Sequence, residues 1–141
     1  MLDGHGQPLD LDEQLAISLD RLVIPPSYLR ERDEPRLAPS VPGDNRRFPR
    51  LRVRRDVVLE TRSTLRAFPR PHESHRVRLL DLSKGGLGFL HSEALFPCER
   101  ARLLLVDGRW RAIKIVCARR LDANCHLVGA QFIRDDANAL D

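Results

Sequence analysis

The hydrophobic positions of this chain follow two different periods. Before residue 24, leucines recur at positions 11, 15, 19 and 22, which is the spacing of one face of a helix. After residue 50 the period becomes two, since Leu51 and Val53 alternate with Arg52 and Arg54, which is the pattern of a half-buried strand. The pattern therefore predicts an N-terminal helix followed by a β-domain.

The predicted helix covers about residues 10–23. Asp10, with Glu13 three residues later, resembles a capping box, and Pro25-Pro26 would end the helix. A helix this short is marginal by itself, so its leucine face needs a surface to pack on. That surface is either the β-domain or a partner protein.

Residues 25–43 have the composition of a linker. Prolines and a glycine interrupt a run of charged residues there, namely Pro35, Pro39, Pro42 and Gly43. Together with the helix, this Pro-rich linker makes an N-terminal extension of residues 1–43, and we expect the linker to be a mobile arm.

Six strands are predicted, and short turns join most of them. They cover about residues 51–60, 76–82, 86–91, 100–106, 109–121 and 125–133. The apolar phase slips between Leu79 and Leu80, as at a β-bulge, and Asp107-Gly108 predicts a hairpin with a type I′ turn. We therefore expect an all-β fold, a small six-stranded antiparallel β-barrel over residues 44–134, with a C-terminal tail at 135–141.

The chain carries a formal net charge of +4, which indicates an anionic partner without identifying it. Its basic residues are arginines except for Lys84 and Lys114, a bias that we attribute to genome composition rather than to selection for nucleic acid. The N-terminus is acidic where an export signal would be positive, and no apolar run is long enough to span a bilayer. A cytoplasmic location without membrane insertion is expected.

No catalytic or metal-binding pattern is visible in the sequence. The three cysteines form no Cys-x-x-Cys pair, and no histidine lies at zinc-site spacing from Cys125-His126, so Cys125 is expected to be a buried apolar residue. No Ser/His/acid arrangement or phosphate-binding loop motif occurs either. We expect a protein that is not an enzyme and that has no metal or cofactor.

Two segments about thirty residues apart carry the candidate chemistry. Arg46 and Arg50 precede the first predicted strand. A guanidinium group can donate two parallel hydrogen bonds to phosphate oxygens or to the O6/N7 edge of guanine, and it can stack on a purine. In the second segment, Asp81 can accept from the N–H groups on guanine's other edge, and Ser83 offers a hydroxyl to phosphate. Gly85-Gly86 would let backbone N–H groups approach a ligand closely.

Together the two segments resemble the signature of the PilZ family, bacterial receptors for the second messenger cyclic di-GMP. That signature is Arg-x-x-x-Arg, often with a doubled arginine, followed by Asp/Asn-x-Ser-x-x-Gly. The resemblance implies a small β-barrel whose arginine arm folds over one cyclic di-GMP, or over an intercalated dimer of it. The matching residues are Arg46, Arg47, Arg50, Asp81, Ser83 and Gly86.

The Arg-x-x-x-Arg spacing alone is not specific in a chain so rich in arginine. The pair Arg46/Arg50 differs because it lies at the junction of arm and barrel, at the family distance from a complete second segment. The four other pairs are interpreted as solvated charges: Arg32/Arg36, Arg50/Arg54, Arg62/Arg66 and Arg66/Arg70.

The resemblance implies a cyclic di-GMP receptor. We expect it to act as an adaptor whose arm changes conformation on binding and signals to an effector protein that the sequence does not identify. Two alternatives stay open. One is a basic β-barrel that binds single-stranded nucleic acid, although the aromatics are few and Trp110 is interpreted as a core residue at the barrel rim. The other is a protein-interaction module that binds no ligand.

Overall fold

The computed structural model describes residues 7–28, 36–37 and 51–134. Within these ranges it contains one short helix, α1 (Leu11–Ala16), one 3₁₀ turn (Pro26–Tyr28) and seven strands. Neither α1 nor the 3₁₀ turn has the length and hydrophobicity that a helix needs to cross a bilayer. The strands are β1 (Arg36–Leu37), β2 (Leu51–Thr61), β3 (Glu73–Leu82), β4 (Gly86–His91), β5 (Arg100–Leu104), β6 (Trp110–Asp122) and β7 (Cys125–Phe132).

Strands β2 to β7 form a closed antiparallel barrel. The described strands follow the order β1-β2-β3-β4-β7-β6-β5, and β5 pairs back onto β2 around Leu59. The two-residue β1 lies inside the predicted linker and pairs with Leu51 and Arg52 at the start of β2. Because closure pairs β2 with β5, the predicted six-stranded antiparallel barrel is confirmed.

Alternate residues of the six barrel strands fill the interior. Each of these strands contributes side chains without exposed surface: Val57, Leu59, Val77, Leu87, Phe89, Leu103, Ile113 and Val128. Successive side chains of a strand point to opposite faces. Gly88 of β4, between Leu87 and Phe89, and Gly129 of β7, after Val128, therefore lie on the outer face of the barrel.

The predicted bulge is present in β3. Its register with β4 shifts just after Leu79. Leu79 consequently joins the barrel core, whereas Leu80 lies in a second, smaller apolar cluster with Leu90 and Cys125. Cys125 is buried, as expected.

The predicted helix over residues 10–23 is wrong in its length, because α1 ends at Ala16. Asp10 caps its start, with Oδ1 accepting from the N–H of Asp12 at 3.0 Å. Leu11 and Leu15 are buried in the barrel core, so the first half of the leucine face packs on the barrel.

Leu19 leaves the helical path to pair with β3. It forms a parallel bridge with His75: the N–H of Leu19 donates to the Ser74 carbonyl at 2.9 Å, and its carbonyl accepts from the N–H of Arg76 at 2.7 Å. The pairing of β3 with β4 begins at Arg78, so the earlier residues of β3, including His75, have no β4 partner on that edge. Backbone groups left open on that edge need partners, and pairing with them competes with continuation of the helix.

The N-terminal segment, residues 7–28, packs on the barrel. The N–H of Leu9 donates to the Gly108 carbonyl at 2.8 Å, and that of Val23 donates to the Asn124 carbonyl at 3.1 Å. Of the two surfaces considered for the leucines, the barrel is therefore the one used. Leu22, Ile24 and Tyr28 of this segment also pack against the second apolar cluster.

The arm that we expect to be mobile lies mostly outside the described residues, so its mobility stays a prediction.

The Asp107-Gly108 hairpin is present, but its turn is not type I′. Gly108 has a φ of 76°, whereas Asp107 is not among the described residues with positive φ. The N–H of Gly108 donates to the Leu105 carbonyl at 2.9 Å, which fits a three-residue loop whose last residue is left-handed. Docking of the N-terminal segment adds a second constraint, since a Cβ on Gly108 would lie 2.3 Å from the Leu9 carbonyl oxygen.

Candidate functional site

The second sequence segment forms the hairpin between β3 and β4, as predicted. Asp81 lies near the end of β3, residues 83–85 form the loop, and Gly86 begins β4. The N–H of Ser83 donates to the Gly86 carbonyl at 2.8 Å and closes the loop. Arg46, Arg47 and Arg50 lie outside the described residues.

The hydroxyl of Ser83 holds this loop together. Its oxygen accepts from the N–H groups of Gly85 at 3.3 Å and Gly86 at 3.2 Å, and it donates to the Gly86 carbonyl at 3.2 Å. A serine that bonds backbone groups two and three residues further on pre-forms a turn. The groups that the sequence suggests for phosphate binding thus have partners inside the loop, and a phosphate would have to compete with them.

Packing against β7 requires glycine at position 86. A Cβ on Gly86 would lie 2.3 Å from the carbonyl oxygen of Ala130. Next to it, the Gly85 carbonyl accepts from the N–H of Phe132 at 3.0 Å. The loop is therefore anchored to β7, which gives Asp81 a rigid neighbour.

A row of residues crosses the outer face of the barrel beside this loop. Asp81 pairs with Gly88, Gly88 with Gly129, and Gly129 with Cys117. The carboxylate oxygens of Asp81 lie 3.2 and 3.3 Å from where a Cβ on Gly88 would stand, and Cys117 Sγ lies 3.1 Å from the corresponding position on Gly129. We call Gly88 and Gly129, with Asp81 and Cys117 on either side, the glycine row.

Gly88 and Gly129 were not among the residues that the sequence predicted for the site. A usable signal existed, because glycine inside a predicted strand often marks close approach of a ligand or another backbone. What the sequence did not show is that the two glycines lie opposite each other on neighbouring strands, which depends on the β4–β7 register.

The start of β2 runs alongside Asp81. Leu51 pairs with Leu82, and Arg52 pairs with Asp81. Arg50 is bonded directly to Leu51, so the chain enters the barrel from the arginine segment at the strand position next to the loop. A small cavity of about 300 Å³ lies beside the loop. Lys84 is one of its lining residues and gives it a positive charge.

A larger cavity of about 770 Å³ lies elsewhere, and its lining includes Arg62 and Arg66. These arginines follow Thr61 at the far end of β2, ten residues after Leu51. At about 3.3 Å per residue, that end lies roughly 30 Å from the Asp81 loop. Arg62 and Arg66 therefore do not belong to the same site as Asp81.

The interpretation of the remaining arginine pairs as solvated is wrong for two residues. Arg54 is buried in β2. Arg70 donates two hydrogen bonds to the carboxylate of Glu99, one from Nε to Oε1 and one from Nη2 to Oε2 at 2.9 Å. Arg70 is thus a structural residue.

Trp110 is half-buried and packs against the barrel core, which confirms its interpretation as a core residue at the rim. The guanidinium carbon of Arg102 lies 4.6 Å from the centre of its ring. The exposed Phe68 stacks on Phe96 with ring centres 4.0 Å apart. These rings therefore already have packing partners and do not form an open platform for bases.

Comparison with known proteins adds one match. The family model for the PilZ domain matches residues 44–141, which include the arginine segment, the Asp81 loop and the barrel. A search of curated proteins finds no match. The match covers more than half of the chain and agrees with the resemblance seen in the sequence, and this chain belongs to the PilZ domain family.

Proposed function

We propose that this protein binds cyclic di-GMP at the glycine row and that Arg46, Arg47 and Arg50 close over the bound nucleotide. The observation that carries the proposal is the pairing of Arg52 with Asp81, because it brings the strand that follows the arginine segment alongside the loop. The PilZ family, to which the chain belongs, is a family of cyclic di-GMP receptors. The net charge of +4 favours an anionic ligand of this kind.

The proposed roles follow from the chemistry of each group. Asp81 accepts hydrogen bonds from guanine N–H groups, and the arginines bind phosphate oxygens or stack on the bases. Glycine at position 88 lets the Asp81 carboxylate lie close over the sheet, since a side chain there would displace it. Ser83 and Gly86 act mainly by holding the loop in shape, and any phosphate contact of Ser83 requires its hydroxyl to rotate.

The proposed signal is a conformational change of the arm that an effector protein in the cytoplasm detects. Residues 7–28 are hydrogen-bonded and packed on the barrel, so they do not have to move with the arm. The rearrangement is then confined to the chain between residues 29 and 50. Ordering each residue costs about 1–2 kcal/mol, so closure over the ligand lowers the affinity that the contacts alone would give.

The test is calorimetric titration of the full chain with cyclic di-GMP. We expect a Kd in the micromolar range or tighter, which corresponds to about 8 kcal/mol at the micromolar mark. The molar ratio at saturation distinguishes a bound monomer from an intercalated dimer. Asp81→Ala is expected to weaken binding at least about tenfold while thermal unfolding stays unchanged, because Asp81 lies on the outer face and not in the core.

Single-stranded DNA at the same salt concentration is the matched competitor. Heat from DNA with none from cyclic di-GMP would replace the receptor function with nucleic-acid binding. Absence of heat from both ligands would favour a protein-interaction module.

A further inference from the structure

A cluster of histidines lies at the end of the barrel away from the Asp81 loop. His75 is in β3, His91 is the last residue of β4, and Glu93 follows two residues later. The His75 and His91 rings meet edge to face with centres 4.9 Å apart. One ligand atom from each of His75, His91 and Glu93 lies within 4.8 Å of the other two.

His91 is completely buried, and neither of its ring nitrogens has a hydrogen-bond partner among the described residues. Buried polar atoms are nearly always paired, so two open nitrogens on one ring need an explanation. Burial, helped by the charges near it, lowers the pKa of His91 to about 3. The ring is therefore neutral at physiological pH, and it keeps a lone pair that can bind a metal.

His75 has one ring nitrogen beside a carboxylate and one without a partner among the described residues. Its Nε2 lies 3.3 Å from Oε1 of Glu73, while its buried Nδ1 has no partner among the described residues. Histidines that bind metals commonly donate the N–H of the other ring nitrogen to a carboxylate, which fixes the ring and its tautomer. Glu73 can serve this purpose and leave Nδ1 of His75 for the ion.

Glu93 supplies the negative charge. Its carboxylate lies 3.6 Å from Arg21 and 3.8 Å from Arg70, distances longer than hydrogen bonds. The strong hydrogen bonds of Arg70 go to Glu99, so its charge is largely compensated there. A small rotation of the half-exposed Glu93 side chain is therefore enough to exchange these loose contacts for a cation.

We propose that His75, His91 and Glu93 form a binding site for one divalent transition-metal ion, with Zn²⁺ as the best match. Two imidazoles and one carboxylate are a ligand set that zinc accepts, with water in the fourth position. Ligand atoms around tetrahedral zinc lie about 3.4 Å apart for bonds of about 2.1 Å, so the side chains must close in by rotation. The ligands come from two strands and a loop, which is why their sequence spacing gave no signal.

The ion would tie the N-terminal segment to the barrel. Leu19 forms its bridge with His75, so that segment docks directly on one of the proposed ligand residues. Metal binding would hold these groups in place and stabilise the folded state by mass action.

The test is a titration of the chelator-treated full chain with zinc chloride by calorimetry, in a Cys98→Ser/Cys117→Ser background because exposed thiols also bind zinc. We expect one Zn²⁺ per chain and a Tm that rises with zinc concentration. Absence of both effects would overturn the proposal and leave the histidines as ordinary buried residues.

The variants assign the site. Glu93→Gln and His91→Gln are each expected to weaken zinc binding at least about tenfold. His72→Gln is the matched control, because the His72 side chain is 67% exposed and lies outside the cluster. Unchanged affinity in Glu93→Gln would place the ion elsewhere and overturn the proposal, and this half-exposed position keeps the test decisive even if His91→Gln does not fold.

Discussion

Ser83 and Gly86 shape the loop of the candidate site, whereas Asp81 lies on the outer face of the barrel beside it. The Ser83 hydroxyl forms its hydrogen bonds with Gly85 and Gly86. Gly86 has no side chain that would clash with the backbone of β7. Asp81 lies over Gly88, and we propose that its carboxylate contacts the ligand there. One short motif thus contains residues with different physical roles, and their substitutions should have different effects.

Substitution of the arginines tests the position of the site. Arg46→Ala and Arg50→Ala should each cost roughly 2–5 kcal/mol of cyclic di-GMP binding, because each removes one partner of a desolvated charge pair. Arg62→Ala and Arg66→Ala serve as controls with the same spacing and should be nearly neutral, since they line a cavity at the far end of β2. Calorimetry measures all four, and a loss at Arg62 as large as at Arg46 would show that the wrong pair was chosen.

Gly86→Ala should destabilise the fold by about 1–3 kcal/mol, because its methyl group would meet the backbone carbonyl of Ala130, which cannot move without disturbing β7. Gly129→Ala is the control: its methyl group would meet the thiol of Cys117, an exposed side chain that can rotate away. Chemical denaturation measures both variants. Equal stability losses would mean that the close contact with β7 is relieved by a backbone shift.

Strand β3 connects the Asp81 loop with the cluster of His75, His91 and Glu93. Asp81 lies near its last residue, while His75 lies near its first and pairs with Leu19 of the N-terminal segment. The bulge after Leu79 changes which face each half of the strand presents. The proposed ligand contacts and the docking of the N-terminal segment therefore lie at opposite ends of one strand.

Amide hydrogen exchange with and without cyclic di-GMP tests this separation. Protection should rise across residues 44–54 and 81–86 on binding, because the arm closes over the loop. Residues 7–28 should change little, since their hydrogen bonds to the barrel exist without ligand. An arm already fully protected in the free protein would remove the proposed switch, and a large change at residues 7–28 would mean that docking is coupled to the ligand.

At one end of the barrel, the Arg70–Glu99 pair holds two loops together. Glu99 is buried and accepts from the N–H of Phe96 at 2.8 Å as well as from Arg70. Arg70 also donates to the Ala94 carbonyl at 2.6 Å. The long β2–β3 connection is thus fixed against the loop between β4 and β5.

Arg70→Ala should lower the free energy of unfolding by about 3–5 kcal/mol, because it leaves the buried carboxylate of Glu99 without its cation. Arg66→Ala is the control, an exposed arginine four residues earlier on the same connection. Thermal or urea unfolding gives the comparison. A loss below about 1 kcal/mol would show that Glu99 is compensated by other groups.

The local sequence was sufficient for most of the barrel. Alternation of apolar residues from Leu51 onward predicted the strands, the phase slip at Leu79 predicted the bulge, and Asp107-Gly108 predicted a hairpin. These features depend on residues close together in the chain, whose side chains must alternate between core and solvent. The Asp81–Gly86 motif was visible for the same reason, because it is a single hairpin loop.

Pairing between residues far apart in sequence determined the features that the local sequence did not predict. The leucine pattern predicted a longer helix, but Leu19 pairs with an open edge of β3 that exists only once the barrel has formed. The opposition of Gly88 and Gly129, and the meeting of His75 with His91, depend on strand registers. Contacts between residues far apart in sequence are set by register and closure of the sheet, and no local periodicity records them.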